Sequence, residues 1–298
     1  MRFLDADAVA ALGPAAAVHA VTQALLAGLD PSADPLRVSV DLSHGQFLLM
    51  PSEARAATGV KVVTVAPDNP ARGLPRIQAV YLLFDRQTLT LRAALDGTAL
   101  TTLRTPAVSV AAVVNRLPPR ALRVAIIGAG PQATGHAVTL AAVRPVEQMT
   151  YLVRDPARTT LEAAALGSSE ADEALRAADV VVCATSARSP VFDSRLLRDD
   201  AVVVAVGSHE PDATELDASL LRRATVVVED VDAALREAGD VVMAIAQGAL
   251  TPRDLVPVRD VVRGSVDVPS GRPLVFKSVG MAWQDLVIAE AVLENSSD

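Results

Sequence analysis

Two features of this chain combine residue type and spacing in a way that could do chemistry: a glycine-rich turn and a scarce pair of lysines. Gly128-Ala129-Gly130-Pro131-Gln132-Ala133 follows the apolar run Val124-Ala125-Ile126-Ile127 and opens a helix-like stretch. In that setting the G-x-G-x-x-A spacing has a mechanism. The first glycine makes a tight turn, the second lets backbone approach a pyrophosphate, and the small third residue lets helix pack on strand. Free N–H groups at the helix start favour an anion. Gly128, Ala129, Gly130, Pro131 and Gln132 are therefore expected to hold a dinucleotide, the alternative being an ordinary tight turn.

Which dinucleotide depends on the end of the next strand, Tyr151-Leu152-Val153-Arg154-Asp155-Pro156. NAD enzymes place an acid about 20 residues on to hold the ribose 2′-OH. Asp155 reads as a helix N-cap with Pro156 at the first helical position. That leaves Val153 where the acid would stand and Arg154 beside it, an arrangement suited to a 2′-phosphate. NADP(H) is the expected cofactor; NAD(H) stays open if Asp155 itself takes the ribose.

Of 27 basic side chains, only Lys61 and Lys277 are lysines. A planar guanidinium cannot replace a compact ammonium whose pKa moves readily on burial, so these two are candidates for function. Lys61 lies in Val60-Lys61-Val62-Val63-Thr64-Val65, where strand alternation turns it either inward or to solvent. Thr185, after the apolar run 180–184, sits where ligands lie in parallel sheets and is a candidate cofactor contact. His136 reads as packing, and His19, His44 and Cys183 do not cluster, so no metal site is expected.

The elements that must position these residues fall into two textures. The first part mixes a helical pattern at 6–28 with strand-like runs at 47–50, 60–65 and 80–84, then a helical pattern at 101–116. After Pro118-Pro119, apolar runs at 124–127, 149–153, 180–184, 201–206 and 225–228 alternate with helical segments, as a parallel sheet covered on both faces requires. The stretch 158–179 is too short for a full passage, so a truncated strand is expected there. Leu274-Val275-Phe276-Lys277 and a helix over 282–293 should return to the first part. The expected fold is α/β: a Rossmann-type, doubly wound parallel sheet over 118–274, and a mixed α/β domain over 1–117 completed by 275–298.

Composition limits the partners. Hydrophobic residues are 51% but aromatics only 3%, so the core must come from Val, Leu, Ile and Ala. A net charge of -8 argues against nucleic acid or an anionic membrane as partner. No apolar run is long enough for a membrane span, and acids stand in 5–7 where a signal peptide would be apolar. A single cysteine, Cys183, excludes an intrachain disulfide and fits a reducing cytoplasm.

Further blocks are more specific. Met50-Pro51, Gly59-Val60-Lys61-Val62-Val63-Thr64, Gly73-Leu74-Pro75, Leu95-Asp96-Gly97, Leu100-Thr101 and Arg104-Thr105-Pro106-Ala107-Val108-Ser109 resemble the ornithine cyclodeaminase/mu-crystallin family. So do the glycine turn, Val206-Gly207 with Pro211 and Glu215-Leu216, and Phe276-Lys277-Ser278-Val279-Gly280-Met281-Ala282 with Asp285, all in the family's order. The resemblance implies a homodimer with a substrate-binding and dimerisation domain beside the dinucleotide domain. It matches Arg37, Lys61 and Arg104 to positions that bind a substrate carboxylate near the nicotinamide, and it brings Val206 and Ser278 into the expected cofactor set. Lys61 could also move a proton if burial and neighbouring arginines depress its pKa.

One departure stands out. Cyclodeaminases of the family carry an Asp after Val-Gly-x as acid/base; here Val206-Gly207-Ser208-His209 puts His209 there. An imidazole can exchange protons near neutrality but supplies no fixed negative charge. His209 could also be an ordinary polar residue at a strand end. The leading expectation is an NAD(P)-dependent imine reductase or amino-acid dehydrogenase acting on a small, amino-acid-derived substrate. Lys61 or His209 would handle the proton, and a pyrroline- or piperideine-carboxylate is the substrate class implied by resemblance. Conversion of L-ornithine to L-proline and ammonia with catalytic NAD is the alternative, and an NADPH-dependent ligand-binding protein with little turnover is a third.

Overall fold

The computed structural model describes residues 2–54 and 57–296; Met1, Arg55, Ala56, Ser297 and Asp298, which the expected first-domain ranges include, lie outside the described residues. Contacts divide the chain into two compact units, Met1–Val108 with Met281–Asp298, and Ser109–Gly280. The sequence put the divisions near 117/118 and 274/275. The first falls instead inside the helix Gly97–Val113, which continues past the unit boundary.

In the first unit, β1 (Arg2–Leu4), β2 (Val38–Leu42), β3 (Gly45–Glu53), β4 (Ala57–Val65), β5 (Ile77–Asp85) and β6 (Leu91–Asp96) form one sheet in the order β1-β6-β5-β4-β3-β2. Strands β2 to β6 run antiparallel as a meander and β1 adds parallel to β6. Along β4 the period of two is clean: Ala57, Gly59, Lys61 and Val63 are buried while their neighbours are half-buried. The helix Ala282–Asn295 packs against β3, β4 and β5. It buries Trp283, Leu286, Ile288 and Ala289, and also the polar Gln284 and Asp285.

The helical pattern at 6–28 is two helices, Ala6–Ala10 and Pro14–Leu26. Gly13 between them takes φ +75°, and Pro14 has no N–H to continue the first helix, so it starts the second. The helix expected over 101–116 begins earlier, at Gly97, because Asp96 accepts hydrogen bonds from Thr98 N and Ala99 N and caps it.

In the second unit, β7 (Leu122–Ile127), β8 (Val146–Val153), β9 (Ala163–Ala165), β10 (Val180–Cys183), β11 (Val202–Ala205), β12 (Thr225–Val228), β13 (Leu255–Pro257) and β14 (Leu274–Lys277) make one sheet, ordered β13-β12-β14-β11-β10-β7-β8-β9 and parallel throughout. The doubly wound parallel sheet is therefore present, with the truncated strand appearing as the three residues of β9. The chain winds outward from β7 through β8 to β9, then returns to β10 on the other side. That reversal between β7 and β10 is the switch point where ligands bind outside the carboxyl ends of the strands. No helix among the described residues is long and apolar enough to cross a membrane.

Candidate functional site

In the first unit the lysine of β4 meets the two polar residues of the last helix. Lys61 is only 3% exposed, and its Nζ donates to Asp285 Oδ2 at 2.7 Å and to Thr101 Oγ1 at 3.4 Å. Arg104, buried on the helix that Asp96 caps, holds its Nε 3.5 Å from Asp285 Oδ1 and donates from Nη1 to Gln284 Oε1. Two buried cations thus share one buried carboxylate as their direct ionic partner.

Asp34 is nearby: burial pushes its carboxyl up to about 6, against hydrogen bonds from Ser52 Oγ and Trp283 N, so it still carries most of its charge at neutral pH. Lys61 is displaced the other way. Desolvation lowers its pKa to about 8; Asp285 opposes this, while Arg104 and Arg37 add to it. Arg37, half-buried ahead of β2, is thus close enough for its charge to register on Lys61. Arg104 and Arg37 thus both lie within electrostatic reach of Lys61. A small carboxylate leaving water needs such charge-assisted partners.

Asp285, Gln284 and Thr101 were given no role from sequence. The signal for the first two was available: adjacent polar residues, Gln284-Asp285, in an otherwise apolar helix face must find buried partners.

In the second unit the glycine turn has the geometry of an anion cradle. Gly128 takes φ +122°, and a Cβ there would come within 2.5 Å of Ala184 O, so this glycine is fixed by the fold itself. Gly130 is different. Its φ is ordinary, it caps the helix Pro131–Val143 without any side-chain hydrogen bond, and a Cβ would meet nothing within 4 Å. The protein's own packing gives no reason for glycine there, whereas close approach of a phosphate does. Ala133 is fully buried against the sheet side, as the motif requires. The residues present fit a dinucleotide pyrophosphate at the helix start, near Ala129, Pro131 and Gln132.

Arg154 follows β8 and is exposed, and Asp155 accepts from Ala157 N at 3.1 Å, capping the short turn Pro156–Arg158. The N-cap role expected for Asp155 is the one it has. His136 is buried between Gln132 O and Ser109 Oγ, and burial lowers its pKa to about 4, as befits a packing residue.

The loops at the carboxyl ends of β10, β11 and β14 carry the rest. Thr185 donates its N–H and its hydroxyl to Glu215, whose other oxygen accepts from Gly207 N at 2.7 Å. Ser278 donates its hydroxyl to Glu229, which also takes Val279 N and Gly280 N. Val206 is half-buried at the end of β11, and His209, three residues on, is exposed. The buried carboxylates Glu215, Glu229 and Asp240 received no role from sequence, since nothing local distinguishes a structural acid from a surface one.

A profile of the ornithine cyclodeaminase/mu-crystallin family matches residues 15–298. A Delta(1)-pyrroline-2-carboxylate reductase of Bacillus cereus is 34% identical over 282 residues, covering 88% of this chain and 86% of the relative. A Delta(1)-pyrroline-2-carboxylate/Delta(1)-piperideine-2-carboxylate reductase of Azospirillum brasilense is 37% identical over 262 residues, 85% of this chain and 81% of the relative. Among solved structures, the Delta(1)-pyrroline-2-carboxylate reductase of Thermococcus litoralis in complex with NADH and L-proline superposes with a TM-score of 0.87 at 27% identity, over 100% of this chain and 98% of that one.

Proposed function

The chain belongs to the ornithine cyclodeaminase/mu-crystallin family, and on that premise we propose that it reduces a small, cyclic imino-carboxylate with NADPH. The observation that carries the reading is the buried Lys61–Asp285–Arg104 cluster. It gathers two buried cationic donors on a single carboxylate in a desolvated place, and such donors are what the carboxylate of a substrate requires. The names of the two reductases above point to the same substrate class.

Each side chain then has a task. Arg104 and Lys61 pair with the carboxylate, with Arg37 adding charge. NAD(P)H, when held there, would supply the hydride for the imine carbon. The imine nitrogen takes one proton, and His209, on the loop after β11, is its donor; Lys61, with a pKa of about 8, is the donor to test next. Gly128, Ala129, Gly130, Pro131 and Gln132 receive the pyrophosphate, with Thr185, Val206 and Ser278 lining the loops that flank it. Arg154 pairs with the 2′-phosphate. Two observations support NADPH over NADH: Asp155 is engaged as a cap, and Arg154 stands exposed at the strand end.

The chain works as a homodimer in this reading, and the lone, buried Cys183 suits a cytoplasmic enzyme. Support for the dimer comes from β2, an edge strand whose Val38, Val40 and Leu42 are all exposed.

The test is steady-state NADPH consumption against a panel of cyclic imines, run beside proline and ammonia formation from ornithine with NAD(+). Net NADPH loss with an imine and negligible proline from ornithine is the expected pattern. Efficient proline formation would restore cyclodeamination, and titration without turnover would make the chain a ligand-binding protein.

A further inference from the structure

We infer that Lys277 is a positioning residue, whose buried ammonium fixes the carbonyl of Ser208 and thereby sets where His209 stands. The purpose of this clamp rests on the proton role given to His209 above; the clamp itself rests on geometry. Lys277 ends β14 and is 1% exposed. Its Nζ donates to Ser208 O at 2.6 Å and pairs with Asp240 Oδ2 at 2.9 Å. The other oxygen of Asp240 accepts from Thr214 Oγ1, Glu215 N and Leu216 N at 2.7, 2.7 and 2.9 Å. Glu215 in turn holds Gly207 N.

The segment carrying His209 is therefore gripped on both sides, at Gly207 and Ser208 before it and at 214–216 after it. Ser208 Oγ closes the loop on Ala213 O. Gly239 lets the loop lie against its backbone, because a Cβ there would come within 1.9 Å of Ala213 O and 2.5 Å of Glu210 O. Lys277, Asp240, Glu215 and Ser208 are all buried beneath the exposed stretch 209–212, which begins at His209.

Stability by itself does not call for a buried ion pair, since well-packed apolar residues do as well. What the ammonium adds is a directed bond to one particular carbonyl. Its N–H donors are arranged tetrahedrally and can reach a carboxylate and a carbonyl together, whereas a planar guanidinium of greater length cannot do so in the same space. That is a reason for lysine to persist here in a chain that otherwise uses arginine.

The experiment uses Lys277→Arg, which keeps the charge, and the double variant Lys277→Met/Asp240→Asn, which removes both charges. The first readout needs no turnover: amide hydrogen exchange. Residues 207–213 are expected to exchange about tenfold faster or more in both variants, with strand 122–127 unchanged. Unaltered exchange in 207–213 overturns the clamp.

The second readout is imine reduction with and without His209→Asn. Lys277→Arg is expected to lower kcat about tenfold with KM little changed, and to have almost no further effect once His209 is Asn. Multiplicative losses in the double mutant would mean that Lys277 acts on general structure, and would overturn the proposal. A His209→Asn enzyme as fast as the wild type would overturn the proton role of His209, and with it the purpose of the clamp, whatever the exchange shows.

Discussion

Burial beside Arg104 and Arg37 weakens the hold of Lys61 on its proton, bringing its pKa from 10.5 down to about 8. The sign of the consequence follows. Between about 8 and 10.5 the unfolded chain binds the proton and the folded one does not, so this group makes the protein more stable as pH rises through that window. Substrate binding goes the other way, because the ammonium is the form that holds a carboxylate. Initial rates across pH should show KM for the imine rising above about pH 8; a flat KM to pH 9.5 would remove Lys61 from the carboxylate site. Asp285 supports the charged form, so Asp285→Asn should move that rise to lower pH. Lys61→Arg keeps charge but neither compactness nor the fit to Asp285, and should cost about 100-fold or more in kcat/KM with circular dichroism unchanged. The rarity of lysine singled out Lys61 in the sequence, and the structure places it buried against Asp285. Asp285 was legible only as a polar residue on an apolar helix face; that its partner is Lys61, over 200 positions away, left no local trace.

The β7-turn-helix element separates two glycines that look alike in the sequence. Gly128→Ala forces a left-handed φ and a contact with Ala184 O, so it should lower thermal stability by about 1–3 kcal/mol and lose cofactor as well. Gly130→Ala meets open space at an ordinary φ. It should leave the melting temperature unchanged while weakening dinucleotide binding about tenfold, measured by calorimetry on the same samples. If both variants lose only stability, the turn is an ordinary one. At the end of β8, Arg154→Ala should weaken NADPH binding and leave NADH binding alone; equal wild-type affinities for the two would sink the 2′-phosphate assignment. The strands of this unit were legible because a sheet buried on both faces needs unbroken apolar runs such as Val180–Cys183. Strand β13 was missed: three residues ending in proline carry too little periodicity to read.

Across the whole chain, the antiparallel sheet of the first unit ends on β2, with Val38, Val40 and Leu42 exposed on one face and Phe47 of β3 opposite Val40. Light scattering should give twice the chain mass of 31.0 kDa, and Val40→Lys should shift the protein toward monomer. A wild-type monomer would contradict that assembly. The chemistry itself is tested most directly by the fate of the transferred hydrogen. The protein is incubated with NADPH deuterated at C4 of the nicotinamide, in each stereoisomer separately, and a pyrroline-2-carboxylate, and the product is weighed by mass spectrometry. Imine reduction requires proline carrying one deuterium at Cα from only one of the two isomers. Unlabelled proline, or no product from any cyclic imine, would contradict it.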